Sequence, residues 1–364
     1  MNMNPLNFNA AGNAELSPHR HHREIKNDTP TDIPEQAAPG DSVDINAGTE
    51  GVKQEKPDTP RAAASPNGTT TITILSTNDM HAQFKNMPEV SGLVHQLKKE
   101  NPDAIVVDVG DIAYNPPYSD ANHFSPMLEI MNQIGYHIVE PGNHEFQYGA
   151  PAMHDEYTSR INADVVCSNI RDKKTGDYLP GVKPYVIKDV EGVKVAFIGT
   201  VVPHMATSAH PDVGKDVDKR EINDTVRELL PELKAQGAEV IVSLSHHGVG
   251  KKADLNLAEN VEGINVILTG HDHQFTGEPI VVSKFPTRTY IIEGMSHGKY
   301  VMETDITIDN KTREVIAVNM KPWPTSSATV KPDPVVEDII KNYHSKGGGE
   351  IDMNRDDSKP HRDS

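Results

Sequence analysis

Cysteine and long hydrophobic runs are nearly absent from this sequence. Cys167 is the only cysteine among 364 residues, so no disulfide can form within the chain. The cysteine count therefore indicates neither an oxidising nor a reducing compartment for the protein. No apolar run reaches the roughly 18 residues that a membrane-spanning helix needs, so no membrane partner is expected. Residues 1–28 also lack the apolar centre of a secretory signal peptide.

Aromatic residues and positive charge are scarce as well. Aromatics make up 5% of the chain and hydrophobic residues 36%. Both values are low for a chain that packs throughout, so part of it is expected to be unfolded. The formal net charge of -18, with no basic stripe, disfavours nucleic acid as a partner. Bound cations would reverse that sign locally.

The composition changes along the chain and predicts three segments. Residues 1–69 are rich in Asn, Pro, Asp, Glu and Ala without an apolar period, which predicts a disordered polar leader. Residues 70–345 carry strand and helix patterns and are predicted to form one domain. Residues 346–364 are polar and are expected to fray.

Within the domain, helices first alternate with strands, and strands dominate the last part. "TTTITIL" at 69–75 is typical of a β-branched strand, and "PEVSGLVHQLKKE" has the apolar spacing of a helix. Hairpins are predicted at Glu191-Gly192 and at Asn310. The pattern predicts an α/β fold, a mixed sandwich with sheet at its centre.

Metal-ligand residue types follow five of the predicted strands. In chain order they are Asp79 and His81, Asp111, Asn143 and His144, His246 and His247, and His271 and His273. The carboxyl ends of strands in α/β sheets converge on one crevice, so we expect these side chains to meet there.

The donor atoms of this set are imidazole nitrogens and carboxylate or amide oxygens. This mixture suits Zn, Mn, Fe, Ni or Co and disfavours a structural zinc bound by cysteines. In the D-x-H and H-x-H motifs, alternate residues of an extended segment point the same way and can reach one ion. The set is too large for one tetrahedral ion. We therefore predict two divalent metal ions that share Asp111.

Each motif taken singly also has a purely structural interpretation. A lone D-x-H after a strand is usually a surface turn. Asp111 beside a glycine could cap a helix, and His246 with His247 could be core histidines whose hydrogen bonds are satisfied. All five motifs in sequence, each at a strand end, favour a metal site.

The motifs "NDMH", "GD", "GNHEF", "SHHG" and "GHDH", in this order, resemble those of the calcineurin-like metallophosphoesterases. More narrowly, they resemble the catalytic domain of the 5′-nucleotidase and 2′,3′-cyclic-nucleotide phosphodiesterase family over residues 70–345. The resemblance implies a four-layer αββα sandwich. It also implies a metal-dependent phosphoric ester hydrolase that acts on nucleotides or similar small phosphate esters, with a hydroxide between the two ions as the nucleophile.

The resemblance further implies a role for each site residue. Asp79, His81 and His273 would hold one ion, and Asn143, His246 and His271 the other, with Asp111 shared. His144 would be the catalytic histidine over the phosphoryl group, so Asn143 and His144 are the expected catalytic and substrate-binding residues. Glu145 would be structural.

Two departures from the family pattern affect these expectations. The family continues as "GNHEFD", whereas Gln147 occupies the Asp position here. An amide can hydrogen-bond an imidazole but cannot stabilise its positive charge, so acid catalysis is weaker, supported by another carboxylate, or not needed. The chain also stops where the family's C-terminal nucleotide-binding domain would begin. Its base-stacking site is then expected to be missing. The substrate range could then be broad, or set by loops such as 114–124, or depend on a partner protein.

Other functions remain open on these residues. The chain could be a weakly active metal-binding scaffold, a secreted effector that acts through a partner, or a phosphoprotein phosphatase. The absence of a signal peptide is compatible with a cytoplasmic protein or with export by another route, as for a bacterial effector. The oligomeric state stays open.

Overall fold

The computed structural model describes residues 68–112, 123–205, 214–250 and 252–345. The predicted leader up to residue 67, the predicted tail from 346 and most of the 114–124 loop lie outside these residues. The first strand, β1, spans Thr69–Thr77, so the predicted domain boundary at residue 70 falls one residue inside it.

Fifteen strands form three sheets in the described part of the chain. In chain order they are β1 (Thr69–Thr77), β2 (Ile105–Asp108), β3 (Ile138–Val139), β4 (Asp164–Val166), β5 (Ile170–Asp172), β6 (Val182–Lys183), β7 (Tyr185–Val190), β8 (Val193–Val201), β9 (Val217–Lys219), β10 (Val240–His246), β11 (Val266–Thr269), β12 (Ile280–Val282), β13 (Thr289–Glu293), β14 (Tyr300–Asp309) and β15 (Val315–Pro324).

Six α-helices accompany these strands in the described residues. They are α1 (Met87–Glu100), α2 (Met127–Ile134), α3 (Gly149–Ala152), α4 (Ile222–Ala235), α5 (Ala253–Asn260) and α6 (Pro334–Ser345). Short 3₁₀ turns lie at Phe84–Asn86 and His144–Phe146, and α3 continues as a π-helix over Met153–Thr158. None of the described helices is long and apolar enough to cross a bilayer.

The two large sheets each have a parallel centre. The first has the order β15-β14-β1-β2-β3-β4-β6, in which β1 to β4 and β6 are parallel and β14 and β15 are antiparallel additions. The second has the order β12-β13-β11-β10-β8-β7, with antiparallel pairing only at its two edges. Because parallel strands end at the same edge, the loops after β1, β2, β3, β10 and β11 emerge on one side of their sheets.

The two sheets pack face to face, and helices cover both outer faces. Ile72 and Ile74 of β1 point into the apolar core between the sheets, whereas Leu75 points to the core beneath α1, α2 and α6. This alternation follows from the two-residue period of a strand. On the far side, α4 packs on β8 and α5 packs on β12 and β13. The expected four-layer sandwich is confirmed.

The predicted hairpins and the first helix are also confirmed. β7 and β8 pair through a turn in which Glu191 and Gly192 both have positive φ, 51° and 76°. This is the turn geometry that matches the twist of two paired strands. β14 and β15 pair across residues 310–314. The apolar face of α1, from Val90 to Leu97, is buried.

Some elements were not predicted. The two-stranded sheet of β5 and β9 consists of two three-residue segments, "IRD" and "VDK", which are too short to show an alternating pattern. α6 was also missed, although Asp333 before Pro334 is a typical helix start. The Asp333 carboxylate accepts the backbone N–H of Val335 and the Ser91 hydroxyl, at 2.9 and 2.7 Å, and so joins α6 to α1.

Candidate metal centre and catalytic site

The loops that follow β1, β2 and β11 are joined by backbone hydrogen bonds at the carboxyl edge of the sheets. Asp79 N–H donates to Gly110 O and His81 N–H donates to Asp111 O, both at 2.9 Å. The backbone N–H of His271 donates to the Asp79 carboxylate at 2.9 Å. The two sheets therefore contribute to one site, as the strand pattern predicted.

Asp79, His81 and His273 form a first group whose ligand atoms all lie within 4.8 Å of one another. Asp79 Oδ1 is 3.7 Å from His81 Nε2 and 3.5 Å from His273 Nε2, and the two Nε2 atoms are 3.0 Å apart. Asp79 is fully buried, whereas the His273 side chain is 40% exposed. The group thus opens to solvent on the His273 side.

Asp111, His246 and His271 form a second group with the same spacing. His246 Nε2 lies 3.0 Å from Asp111 Oδ2, and the His246 and His271 rings are 5.2 Å apart. His246 Nδ1 contacts Val109 O at 2.6 Å. A proton on Nδ1 that is donated to this carbonyl leaves the Nε2 lone pair directed at the group, which is the usual arrangement for a metal-binding histidine.

Asp111 lies between the groups. Its Oδ2 is 3.9 Å from His81 Nε2 and 3.9 Å from His144 Nε2, in addition to its contact with His246. His81, Asp111 and His144 themselves satisfy the 4.8 Å criterion. Asp111 Oδ2 is therefore close to imidazoles of both groups.

A buried atom of the site shows that the residues fit bound cations. Asn143 Oδ1 is buried and has no hydrogen-bond partner among the described residues. Buried polar atoms in proteins nearly always have partners. Asn143 Oδ1 is an atom that the predicted second ion would bind, and the donor set of nitrogen and oxygen without sulfur suits a divalent metal of the zinc or manganese type.

The electrostatics of the site also favour cations. Burial would raise the pKa of Asp111, but the neighbouring charges of His246 and His144 outweigh it and hold the pKa below its usual value. Burial would likewise raise the pKa of Asp79, but the neighbouring imidazoles of His273 and His81 hold it well below its usual value. Two buried carboxylates that stay ionised among imidazoles provide the negative charge that a divalent ion needs.

Glu145 fastens the two loops that carry Asp111 and Asn143. Its carboxylate accepts the backbone N–H groups of Asp111, Ile112 and Gly142 at 2.9, 2.9 and 2.7 Å. Burial, reinforced by the charge of Asp111, raises the pKa of Glu145 to about 7. Glu145 is therefore a structural residue of the site, in agreement with the expectation from the sequence.

Replacement of Glu145 by alanine is expected to destabilise the fold by roughly 3 kcal/mol or more, because three buried N–H groups lose their acceptor at about 1–3 kcal/mol each. Urea unfolding in the presence of a chelator measures this cost without a contribution from lost metal. Glu228, which pairs with Arg220 at the surface, provides the matched control as Glu228→Ala. A loss for Glu145→Ala that is no larger than the control value would contradict this role.

Two glycines allow the loops to approach. A Cβ atom on Gly142 would lie 2.2 Å from Asp111 Oδ1, and one on Gly110 would lie 2.3 Å from Gly142 N. Gly110 also has a φ of 85°, which disfavours any side chain. The glycines of the "GD" and "GNHEF" motifs therefore place the Asp111 carboxylate against the loop of Asn143 and His144.

His144 lies at the edge of the site next to Asp111. Its backbone N–H donates to Asp111 Oδ1 at 2.9 Å, and its Nδ1 is 3.2 Å from Gln147 Oε1. Burial lowers the pKa of His144 below its usual value. The amide of Gln147 thus occupies the orienting position that the family pattern gives to an aspartate.

The interpretation of the D-x-H and H-x-H motifs as extended segments was wrong. Asp79, His81, His271 and His273 have positive φ values of 50°, 47°, 90° and 59°. The backbone of these residues is in the left-handed region of φ and ψ. This conformation is uncommon for residues other than glycine and often occurs at functional sites. Both members of each motif still reach the site.

Sequence reasoning missed His297, in the segment "GMSHGK" after β13. Its ring lies 5.7 Å from that of His81 and 5.6 Å from that of His273, and its N–H donates to Asp79 O at 2.7 Å. Burial, assisted by the neighbouring His81, lowers the pKa of His297 to about 3. A histidine shortly after a strand was the signal that could have identified it.

His247, in contrast, belongs to the interior. Its Nδ1 lies 2.8 Å from Ser245 Oγ and 3.4 Å from Asp254 Oδ1. The Asp254 carboxylate also accepts the Thr269 hydroxyl at 2.5 Å. Of the adjacent pair, His246 therefore faces the metal groups and His247 supports the start of α5.

A cavity of about 820 Å³ lies away from this site. Its lining includes Lys234, Glu239, Arg288 and Arg313, near the amino ends of β10 and β13. It contains none of the predicted ligands. The ligand chemistry, and not the cavity volume, identifies the functional edge of the sheets.

Comparison with known proteins decides the family. The sequence profile of the calcineurin-like phosphoesterases matches residues 72–275, which include every predicted metal ligand. The chain belongs to the calcineurin-like phosphoesterase family. Members of this family are metal-dependent phosphoric ester hydrolases, and the phosphoesterase is accordingly an enzyme of this class.

Nucleotide-processing proteins are among its relatives. It is 28% identical over 312 residues to the endonuclease YhcR of Bacillus subtilis and 27% identical over 286 residues to a 5′-nucleotidase of Vibrio cholerae. These alignments cover 75% and 69% of the phosphoesterase. A 5′-nucleotidase precursor structure from Thermus thermophilus superposes with a TM-score of 0.69 at 22% identity, over 76% of this chain and 59% of that one.

The phosphoesterase spans only part of the curated relatives it matches. The aligned region makes up 25% of the B. subtilis protein and 51% of the V. cholerae protein. The match therefore concerns the domain with the metal ligands, and the substrates of the whole relatives do not carry over directly.

Proposed function

We propose that the phosphoesterase hydrolyses nucleotides and similar small phosphate esters with two divalent ions. The first ion would be held by Asp79, His81 and His273 and the second by Asn143, His246 and His271, with Asp111 shared. The position of Asp111 Oδ2, within 3.9 Å of imidazoles from both groups, is the observation that carries this proposal.

When bound, the ions would supply the activation of a water molecule and the neutralisation of charge on the phosphate oxygens. The residues of the chain provide the arrangement around them. Glu145, Gly110 and Gly142 fix the loops, and buried Asp79 and Asp111 stay ionised. These parts of the site are built before substrate arrives, so little reorganisation is needed during the reaction.

His144 is the residue we assign to the leaving group. If its Nδ1 proton is donated to Gln147 Oε1, its Nε2 faces the space beside Asp111 Oδ2 at 3.9 Å. A histidine in this position can hydrogen-bond a phosphoryl oxygen or give a proton to the departing oxygen. Asn143, the preceding residue, provides a neutral oxygen ligand on the same loop.

Gln147→Asp is expected to raise kcat on an ester with a poor leaving group by about tenfold, because a carboxylate stabilises the imidazolium form of His144 and an amide does not. On p-nitrophenyl phosphate, whose leaving group needs little acid assistance, we expect a change of less than about twofold. Steady-state kinetics of the wild type and of Gln147→Asp on both esters measures these changes in kcat. Equal changes on the two esters would contradict the assignment of His144 to the leaving group.

The 5′-nucleotidases among the relatives support nucleotides as the substrate class. The direct test uses purified protein with adenosine 5′-monophosphate, 2′,3′-cyclic adenosine monophosphate, p-nitrophenyl phosphate and bis-p-nitrophenyl phosphate. Each is assayed with Mn, Zn, Fe, Ni or Co and with a chelator. Hydrolysis that disappears with chelator and returns with metal supports the proposal, and hydrolysis of none of the esters overturns it.

The B. subtilis endonuclease among the relatives supports a second candidate, hydrolysis of nucleic acid. The net charge of -18 opposes it, since polyanion binding needs neutralising positive charge. A single-stranded oligonucleotide and a phosphopeptide belong in the same panel. Faster turnover of either than of the mononucleotides would favour a different substrate class at the same metal centre.

A further inference from the structure

A stacked aromatic pair with one exposed member lies close to the candidate metal centre. Phe275 is 40% exposed, and with Val335 it is one of two large hydrophobic side chains that are exposed among the described residues. Its ring stacks on that of Tyr300, with centroids 4.8 Å apart and planes inclined by 20°. One face of Phe275 is therefore covered by Tyr300, and the exposed area belongs to the opposite face and the rim.

The backbone places this pair within a few residues of the first metal group. Phe275 follows His273 by two residues, so their Cα atoms are at most about 7.6 Å apart. Tyr300 follows His297 by three residues, and the His297 and His273 rings are 5.6 Å apart. Phe275 thus lies in the loop that carries His273, and Tyr300 begins β14 directly after the segment that carries His297.

The sheet register leads to the same position. Ser76 of β1 pairs with Met302 of β14, and continuation of this antiparallel register brings Tyr300 opposite Asn78, the residue before Asp79. Phe275 forms an isolated bridge with Gly294, just after β13. Tyr300 and Phe275 are therefore anchored at the carboxyl edge of both sheets, on the His273 side where the metal centre opens to solvent.

A stacked pair with one free face is suited to a planar ligand. A third ring can extend the stack in parallel, and any nucleobase offers such a π-face without a need for specific hydrogen bonds. The ribose of a nucleotide separates its phosphate from its base. A phosphate at the ions and a base on Phe275 can thus belong to one substrate molecule.

We propose that the free face of Phe275, supported from behind by Tyr300, binds the base of the nucleotide during hydrolysis. This inference rests on the proposed function, because it specifies the part of the substrate that binds next to the metal centre. It assigns a substrate-binding role to two residues outside the motif set, and it predicts selectivity for nucleotides over sugar phosphates.

The test compares adenosine 5′-monophosphate with ribose 5-phosphate, which has the same ester and sugar but no base. Phe275→Ala is expected to raise KM for the nucleotide by about tenfold, with kcat for both esters and KM for ribose 5-phosphate unchanged. Phe275→Trp should keep the nucleotide KM at or below the wild-type value. Val335→Ala removes the other exposed hydrophobic side chain, on α6, and should change none of these constants.

Different results would contradict the stacking site and the proposed function. An equal rise of KM for both esters, or no rise for either, overturns the stacking site while the enzyme stays active. If the wild type hydrolyses neither of these two esters, calorimetric binding of adenosine by the wild type and by Phe275→Ala decides the inference, whereas the proposed function fails only if no ester of its own panel is hydrolysed. Weaker adenosine binding by the variant supports the site, and equal binding or no binding overturns it.

Discussion

Replacement of Asp111 by asparagine is expected to lower kcat/KM for every hydrolysed ester by at least about a thousandfold. Asp111 Oδ2 is the atom that faces imidazoles of both groups, so in the proposed centre its negative charge would serve both ions at once. Asparagine keeps the size of the side chain but removes that charge. We expect the variant to fold, because the backbone N–H of Asp111 keeps its bond to Glu145.

The measurement pairs kinetics with metal analysis of the same samples. Asp111→Asn should bind fewer than two ions per chain under conditions that saturate the wild type. Asp305→Asn is the matched control. The Asp305 carboxylate accepts a hydrogen bond from the Thr73 hydroxyl within the first sheet, away from the candidate metal centre. An Asp111→Asn protein with wild-type turnover or with two tightly bound ions would refute the bridging role.

Replacement of His144 by glutamine is expected to lower kcat on an ester with a poor leaving group by about 10²–10⁴-fold, the usual contribution of a general acid. The loss should be much smaller on p-nitrophenyl phosphate. Metal content should stay at the wild-type value, because the proposal assigns His144 to neither ion. This combination separates a proton donor from a metal ligand.

His95→Gln serves as the control for His144, because His95 is a half-exposed histidine of α1 that pairs with Asp333 on the outer helical layer. It should alter neither metal content nor kcat. Loss of an ion in His144→Gln, or an equal loss of turnover on both classes of ester, would show that His144 acts on the metal centre and not on the leaving group.

The sequence predicted the frame of the site because its signals are local and periodic. The apolar segments of β10 and β11 predicted strands, and the polar residues at their ends include His246, the last residue of β10, and His271, two residues after β11. Since strand ends converge by topology alone, the position of each motif in the chain was enough to predict that they meet. The structure confirms this convergence for all five motifs.

The details of the site depend on backbone conformations that residue spacing does not encode. The positive φ values at Asp79 and His81 are held by hydrogen bonds to the loop of Asp111, which lies about 30 residues further along the chain. The same is true of the aromatic pair. Phe275 lies beside the second sheet and Tyr300 belongs to the first, so their rings meet only because the two sheets pack together. Contacts of this kind need the tertiary structure.

Glu145 shows an intermediate case. The motif "GNHEF" indicated a structural role for the carboxylate, but not its partners. In the structure it joins the loop after β2 to the loop after β3 through three backbone N–H groups. A sequence pattern can therefore predict that a residue belongs to a site without predicting what the residue holds.

The most direct test of the account is the location and number of metal ions. Protein reconstituted with Mn or Zn, freed of excess metal and crystallised, can be examined by elemental analysis and anomalous diffraction. We predict two ions per chain, one at Asp79, His81 and His273 and one at Asn143, His246 and His271, with Asp111 bound to both. A single ion, or ions that leave Asp111 uncoordinated, would contradict the two-metal centre on which the proposed chemistry depends.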